Sequence, residues 1–163
     1  MTWDAPIIVA GETVPDEWID YNGHMNVAYY LLAFDHATDV LFDRIGLGVD
    51  YMRRTAHSTF TRESHVNYLR ELGAGDPMRF SFQLLDHDHK RMHYFGRMLH
   101  ADNGYLAATS EWLSIHVSLE TRRSAEMSPV LQATLGEVQT AHRALTRPDE
   151  AGRAIGLRRG KAA

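Results

Sequence analysis

Residues 27–45 constrain the chain most. Between Asn26 and Gly46, the residues Val27, Tyr30, Leu31, Phe34, Thr38, Leu41 and Ile45 recur at spacings of three and four, the period of one face of an α-helix. Asp35, His36, Asp39 and Asp43 fall outside this stripe. A helix apolar on one side must be covered by other parts of the chain. Asn26 suits the N-cap because its amide oxygen can accept a first-turn N–H, and Gly46 suits the stop because glycine tolerates left-handed backbone. No acidic side chain stands in the first turn. The N–H groups of Val27, Ala28 and Tyr29 are therefore expected to be open to an anion or a polarised carbonyl.

The cover comes from strands. Residues 7–10 and the region 14–19 predict a first strand interrupted at Gly11 and Pro15. After the helix, Gly46-Leu47-Gly48 is a break, 49–54 a short helical turn, and 57–69, rich in Thr, Phe, Val and Tyr, a second strand. Beyond a turn at 71–77, Met78, Phe80, Phe82 and Leu84 alternate with Arg79, Ser81 and Gln83, which predicts a half-buried strand. Residues 90–100 alternate less cleanly, as in a strand covered on both faces. Asp102-Asn103-Gly104 is a hairpin signal leading into 105–117, with Leu113, Ile115 and Val117 on one face and Trp112, Ser114 and His116 on the other. A second helix is expected over 130–145, then a frayed tail from Pro148 through Arg158-Arg159-Gly160-Lys161. The result is an α+β pattern: one domain over 1–147 and a tail over 148–163.

Charge and composition remove several classes of function. A formal charge of −4 gives no electrostatic attraction to nucleic acid. The absence of cysteine excludes disulfides, zinc–thiolate sites and a thiol nucleophile. The start, Met1-Thr2-Trp3-Asp4-Ala5-Pro6, lacks the basic and apolar pattern of a signal peptide, and no stretch reaches membrane-spanning length. A cytoplasmic protein without nucleic-acid or membrane partners is expected.

Chemistry concentrates just before the long helix. Asp20-Tyr21-Asn22-Gly23-His24-Met25-Asn26 sets a carboxylate, a glycine turn and an imidazole at its start. As an ordinary capped loop, Asp20 and His24 would only satisfy backbone groups. As a reactive site, a carbonyl held there would meet a carboxylate on one side and the helix dipole on the other.

The run Trp18-Ile19-Asp20-Tyr21-Asn22-Gly23-His24-Met25-Asn26, followed by Tyr29-Tyr30 and Phe34, resembles the signature of hotdog-fold acyl-CoA thioesterases of the 4-hydroxybenzoyl-CoA type, over roughly residues 12–145. The resemblance implies a curved antiparallel sheet of about five strands wrapped round the long helix, and a homodimer or homotetramer with sites at the subunit interface. It implies Asp20 as general base or nucleophile, the Val27 N–H as carbonyl donor, and His24 as a residue that orients the loop or assists. Tyr21, Asn22, Gly23 and Asn26 would line the substrate, Gly23 by letting backbone approach closely. Glu63 is the alternative carboxylate. No cofactor or metal is implied, although Asp86-His87-Asp88-His89 with His93 is a dense ligand-type cluster.

Coenzyme A phosphates need cations. Lys90 and Arg91 open one strand. Arg122 and Arg123 follow another, in the loop where this family places such contacts, and Arg53 and Arg54 are weaker candidates. Residues 18–25, 88–93 and 108–112 most resemble the family's thioesterases of carnitine breakdown, which act on betainyl-CoA. Trp18, Tyr21, Tyr68 and Trp112 could give aromatic faces to its quaternary ammonium. An aryl-CoA substrate, a hotdog enoyl-CoA hydratase and a noncatalytic acyl-CoA binding module are the alternatives.

Overall fold

The computed structural model describes residues 2–157; Arg158 to Lys161 of the expected tail lie outside them. The elements are β1 (Ile7–Thr13), α1 (Val27–Ile45), α2 (Val49–Thr55), β2 (His57–Tyr68), β3 (Pro77–His87), β4 (Arg91–His100), β5 (Leu106–Ser118) and α3 (Pro129–His142). They form one antiparallel sheet in the order β1-β3-β4-β5-β2, with α1 against its inner face. The start differs from expectation in two ways. The register of β1 on β3 shifts between Ala10 and Thr13, so the break at Gly11 is an irregularity within the strand and not its end, and residues 14–19 contain a 3-10 turn, Asp16–Trp18, instead of a strand. The Pro15 backbone (φ −78°) leads into that turn.

The buried face of α1 is Tyr30, Ala33, Phe34, Ala37, Thr38, Leu41 and Ile45. Two members of the predicted stripe, Val27 and Leu31, are instead 55% and 40% exposed. The buried face centres on Phe34, Ala37 and Leu41, and Val27 and Leu31 fall at its margin. A Cβ on Gly96 of β4 would lie 2.9 Å from the Phe82 ring and 3.1 Å from Phe34, so the Phe34 ring seats directly on the strand where β4 has no side chain. Fully buried rings such as Phe34 each contribute about 1.5–3 kcal/mol relative to exposure. At the caps, Asn26 Oδ1 accepts the Ala28 N–H, and Gly46 adopts φ +83°.

On β5 it is the Trp112, Ser114 and His116 face that turns inward; all three are buried. β3 is covered on both faces, since Ser81 and Gln83 are buried as well. Residues following α3 account for part of that cover: Arg143, Leu145 and Arg147 border a crevice with Gln83 and Leu85. Further on, the Gly152 N–H donates to Glu111 Oε2 (2.7 Å), and Pro148 is buried. Residues 148–152 are therefore irregular but fastened to the sheet, not frayed. β2 pairs with β5 along one side and is the last strand of the sheet. In the hairpin, Gly104 alone takes the left-handed backbone (φ +70°), while the Asn103 N–H donates to the His100 ring.

Candidate active site

The loop before α1 is fixed from several directions. Trp18, delivered by the 3-10 turn, is buried and stacks on Tyr29 (centroids 5.1 Å apart, planes at 5°). An Ile19–Met25 bridge closes the loop. Within it, the Asp20 N–H donates to His24 O (3.1 Å) and the Gly23 N–H to Asp20 O (2.9 Å). Gly23 has φ +82°, a conformation that costs other residues strain. At its base the Met25 N–H donates to Leu72 O and the Asn26 N–H to Trp18 O (2.8 Å each).

These bonds aim the Asp20 carboxylate. Its Oδ1 accepts the Asn22 N–H (2.8 Å), and its Oδ2 accepts from Asn26 Nδ2 (3.1 Å). Asn26 thus links carboxylate to helix, because its Oδ1 accepts the Ala28 N–H (3.0 Å) and its carbonyl the Tyr29 N–H (3.0 Å). Three open donors were expected from sequence. Two are occupied by Asn26, and of the three the Val27 N–H alone has no acceptor among the described residues. A carboxylate and one open backbone donor now stand on either side of Asn26, an arrangement able to deliver a base to a carbonyl carbon while stabilising charge on its oxygen. His24 Nδ1–H donates to Met25 O (3.2 Å), which fixes the ring at the site's border. Tyr21 projects outward, 97% exposed.

Beside the helix start lies a cleft of ≈ 300 Å³ bordered by His24, Val27, Tyr30, Tyr68, Arg70 and Glu71, among others. Tyr68, the last residue of β2, donates its hydroxyl to Val27 O (3.4 Å). Tyr30 accepts the Leu72 N–H (3.2 Å), and burial raises the pKa of its hydroxyl. Sequence reading missed Tyr30, Arg70 and Glu71 as site residues. Leu69, Arg70 and Glu71 follow directly on Tyr68 at the end of β2.

Residues 14–135 match the description "Thioesterase-like superfamily". The chain belongs to this superfamily. It is 40% identical over 156 residues to the betainyl-CoA thioesterase of Pseudomonas aeruginosa, covering 96% of this chain and 94% of that one. It is also 40% identical over 150 residues to an L-carnitine dehydrogenase/betainyl-CoA thioesterase of Ruegeria pomeroyi, matching 92% of this chain but 30% of that larger protein. Among solved structures, a Staphylococcus aureus protein in complex with CoA superposes with a TM-score of 0.86 at 28% identity, covering 94% of this chain and 96% of its own. A thioesterase-like protein of Pseudomonas putida, described as putative in its own structure, gives 0.81 at 33% identity, with coverage of 96% and 100%. The expected hotdog architecture is therefore the observed one, and the activity is that of a thioester hydrolase.

The remaining residues singled out from sequence lie elsewhere on this thioesterase. Trp112 is 4% exposed and stacks on Tyr94 (6.2 Å, 1°) beneath α1; its ring packs in the core, and what remains open borders the basin with Arg91, not the cleft beside Val27. Lys90 and Arg91 stand at the β3–β4 turn. There Arg91 Nε donates to Asp88 Oδ2 (2.7 Å). Burial pushes the Asp88 carboxyl up, but hydrogen bonds from the Arg91 side chain and the Lys90 and Arg91 N–H groups outweigh it and hold the pKa at about 2. The Asp86–His89 segment serves that turn, and among the described residues no three His, Asp or Glu side chains converge as metal ligands. Arg91 borders a roomier basin of ≈ 550 Å³ with Glu63, His93 and Glu111. Although larger, this basin does not reach the α1 start; Asp20 lines neither it nor the cleft beside Val27, which it neighbours through His24. Arg122, with φ +57°, follows β5 and lays its guanidinium 5.2 Å from the Phe60 ring; Arg123 is exposed beside it.

Proposed function

We propose that this thioesterase hydrolyses betainyl-CoA to betaine and CoA, with Asp20 as the reacting carboxylate and the Val27 N–H as the donor to the thioester oxygen. The observation that carries the substrate is the near full-length likeness to a betainyl-CoA thioesterase at 40% identity. The geometry supports the chemistry. With the carbonyl oxygen on the Val27 N–H, the carbonyl carbon turns toward Asp20, whose direction Asn22 and Asn26 hold. As a base, Asp20 takes a proton from water, the hydroxide oxygen adds to the carbon, the C–S bond breaks, and the leaving thiolate takes that proton back from Asp20. As a nucleophile, Asp20 adds directly, CoA departs, and water then cleaves the mixed anhydride. Both routes consume one water and use the same two groups. A positioned base contributes about 10²–10⁴-fold and a backbone oxyanion donor about 10²–10³-fold.

The supporting roles belong to the same reading. His24 orients the loop through Met25 O. Asn22, Gly23 and Asn26 form the substrate side of the loop, with Tyr21 contributing through its backbone while its ring faces solvent, and residues 1–147 carry the activity. Arg122 and Arg123, then Lys90 and Arg91, meet the CoA phosphates at the rim. The unpaired edge of β2, 12 residues long, pairs with β2 of a second copy, since an open edge of this length favours strand addition. The working form is a cytoplasmic homodimer or a tetramer of such dimers.

The experiment is thiol release measured across a panel of acyl-CoA esters, beside hydration of an enoyl-CoA. Fast release from betainyl-CoA supports the reading. Faster release from an aryl-CoA changes the acyl group but keeps the reaction, whereas hydration without release, or binding without either, overturns it.

A further inference from the structure

We propose that Tyr68, backed by Tyr30 and accompanied by the Glu71 carboxylate, is the wall that recognises the quaternary ammonium of the acyl group, an assignment that rests on the betainyl-CoA reading above. Bond lengths confine the position of such a wall. In a trimethylammonioacetyl thioester one methylene separates the cation from the carbonyl carbon, so the two atoms lie within about 3 Å of each other. A carbonyl oxygen on the Val27 N–H, at about 2.9 Å, then holds the cation beside the first turn of α1. The recognising side chains must border Val27.

Of the four aromatic residues that sequence offered for this task, the fold leaves one in place. Trp18 is buried against Tyr29, Trp112 lies in the core, and Tyr21 extends away from the protein. Tyr68 borders the same cleft as Val27. It is 49% exposed, yet it is held at both ends: its hydroxyl donates to Val27 O, and its ring stands at 88° to that of Tyr30, centroids 5.3 Å apart. A ring so fixed presents an aromatic face at little entropic cost, which suits a cation that has no proton to donate.

Glu71 supplies the charge. It borders the cleft, makes no ion pair among the described residues, and its carbonyl accepts the Tyr105 hydroxyl (3.0 Å), which steadies that stretch of backbone. Its neighbour Arg70, the cation at this border, has its guanidinium 3.9 Å from the centre of the Tyr105 ring, drawn to that ring and not to Glu71. Glu71 also adds to the effect of burial in raising the Tyr30 pKa, which places its charge within reach of the tyrosine pair.

The test compares kcat/KM for betainyl-CoA with kcat/KM for the uncharged 3,3-dimethylbutanoyl-CoA, which has the same shape. The wild-type protein should prefer the cation by about tenfold or more. Tyr68→Leu and Glu71→Gln should each reduce that ratio about fivefold, while Tyr68→Phe, which keeps the face, retains most of it. Glu71 is exposed, so its variant reports even where Tyr68→Leu fails to fold. A wild-type preference that survives both Tyr68→Leu and Glu71→Gln overturns this wall and leaves betainyl-CoA standing. Absence of any wild-type preference overturns the betainyl reading itself, and the wall with it.

Discussion

Asp20→Asn separates chemistry from architecture at this site. The amide retains an oxygen for the Asn22 N–H, now 2.8 Å from Oδ1, but its NH₂ then faces Asn26 Nδ2, 3.1 Å from the present Oδ2. Two donors cannot satisfy each other. Either that contact is lost, or Asn26 turns its amide over and releases the Ala28 N–H that it caps. Both adjustments cost about 1 kcal/mol, a fall in Tm of about 2–4 °C for a chain of this size. The reaction loses much more, since an amide neither takes a proton from water nor adds to a thioester. A fall in kcat of at least about 100-fold is expected, about 2.7 kcal/mol in the barrier. KM should stay within a few-fold because the binding groups survive. A thiol-reactive dye reads the product directly, for the chain has no cysteine to react with it. Near-normal turnover in a variant that melts as expected would refute the assignment and move attention to Glu63.

Replacing Arg122 and Arg123 together with Ala should raise KM for the CoA ester much more than it lowers kcat, and added salt should mimic the change by screening these exposed charges; a loss of kcat at constant KM would make them structural. The protein should sediment as a dimer or larger, and a fully active monomer at low concentration would contradict pairing through β2. Burial lowers the His142 pKa, a shift opposed in part by its bond to Asp4 O, and its Nδ1 accepts the Leu84 N–H (2.9 Å), so the fold holds the neutral ring. The unfolded chain binds the proton more readily. The contribution of His142 to stability is therefore complete above its ordinary value of 6.5 and is lost as pH falls from there through the lower folded value. Tm should decline over that range, less steeply in His142→Gln, and an identical slope in the variant would show that other groups govern it.

Local sequence determined the elements that rest on local energetics. Asn26 and Gly46 bound α1 at the predicted residues, because capping and left-handed backbone involve only neighbours in the chain. Alternation marked β3, and the Asn-Gly pair marked the turn before β5. The loop before α1 was legible for the same reason, since the bonds of Asp20 to Asn22, His24 and Asn26 span at most six residues. Tertiary structure decided what depends on distance across the fold. Gly96 leaves room on β4 for the Phe34 ring of α1, and packing against the sheet buried Ala33 and Ala37 while Val27 and Leu31 stayed exposed. Trp112 became core once β5 turned that face toward α1. Tyr68 reached Val27 only because β2 ends beside a helix that begins 41 residues earlier. Residue type sets what a side chain can do; which partners it meets over such separations is fixed by the packing of the whole sheet against α1, and no local pattern carries that information.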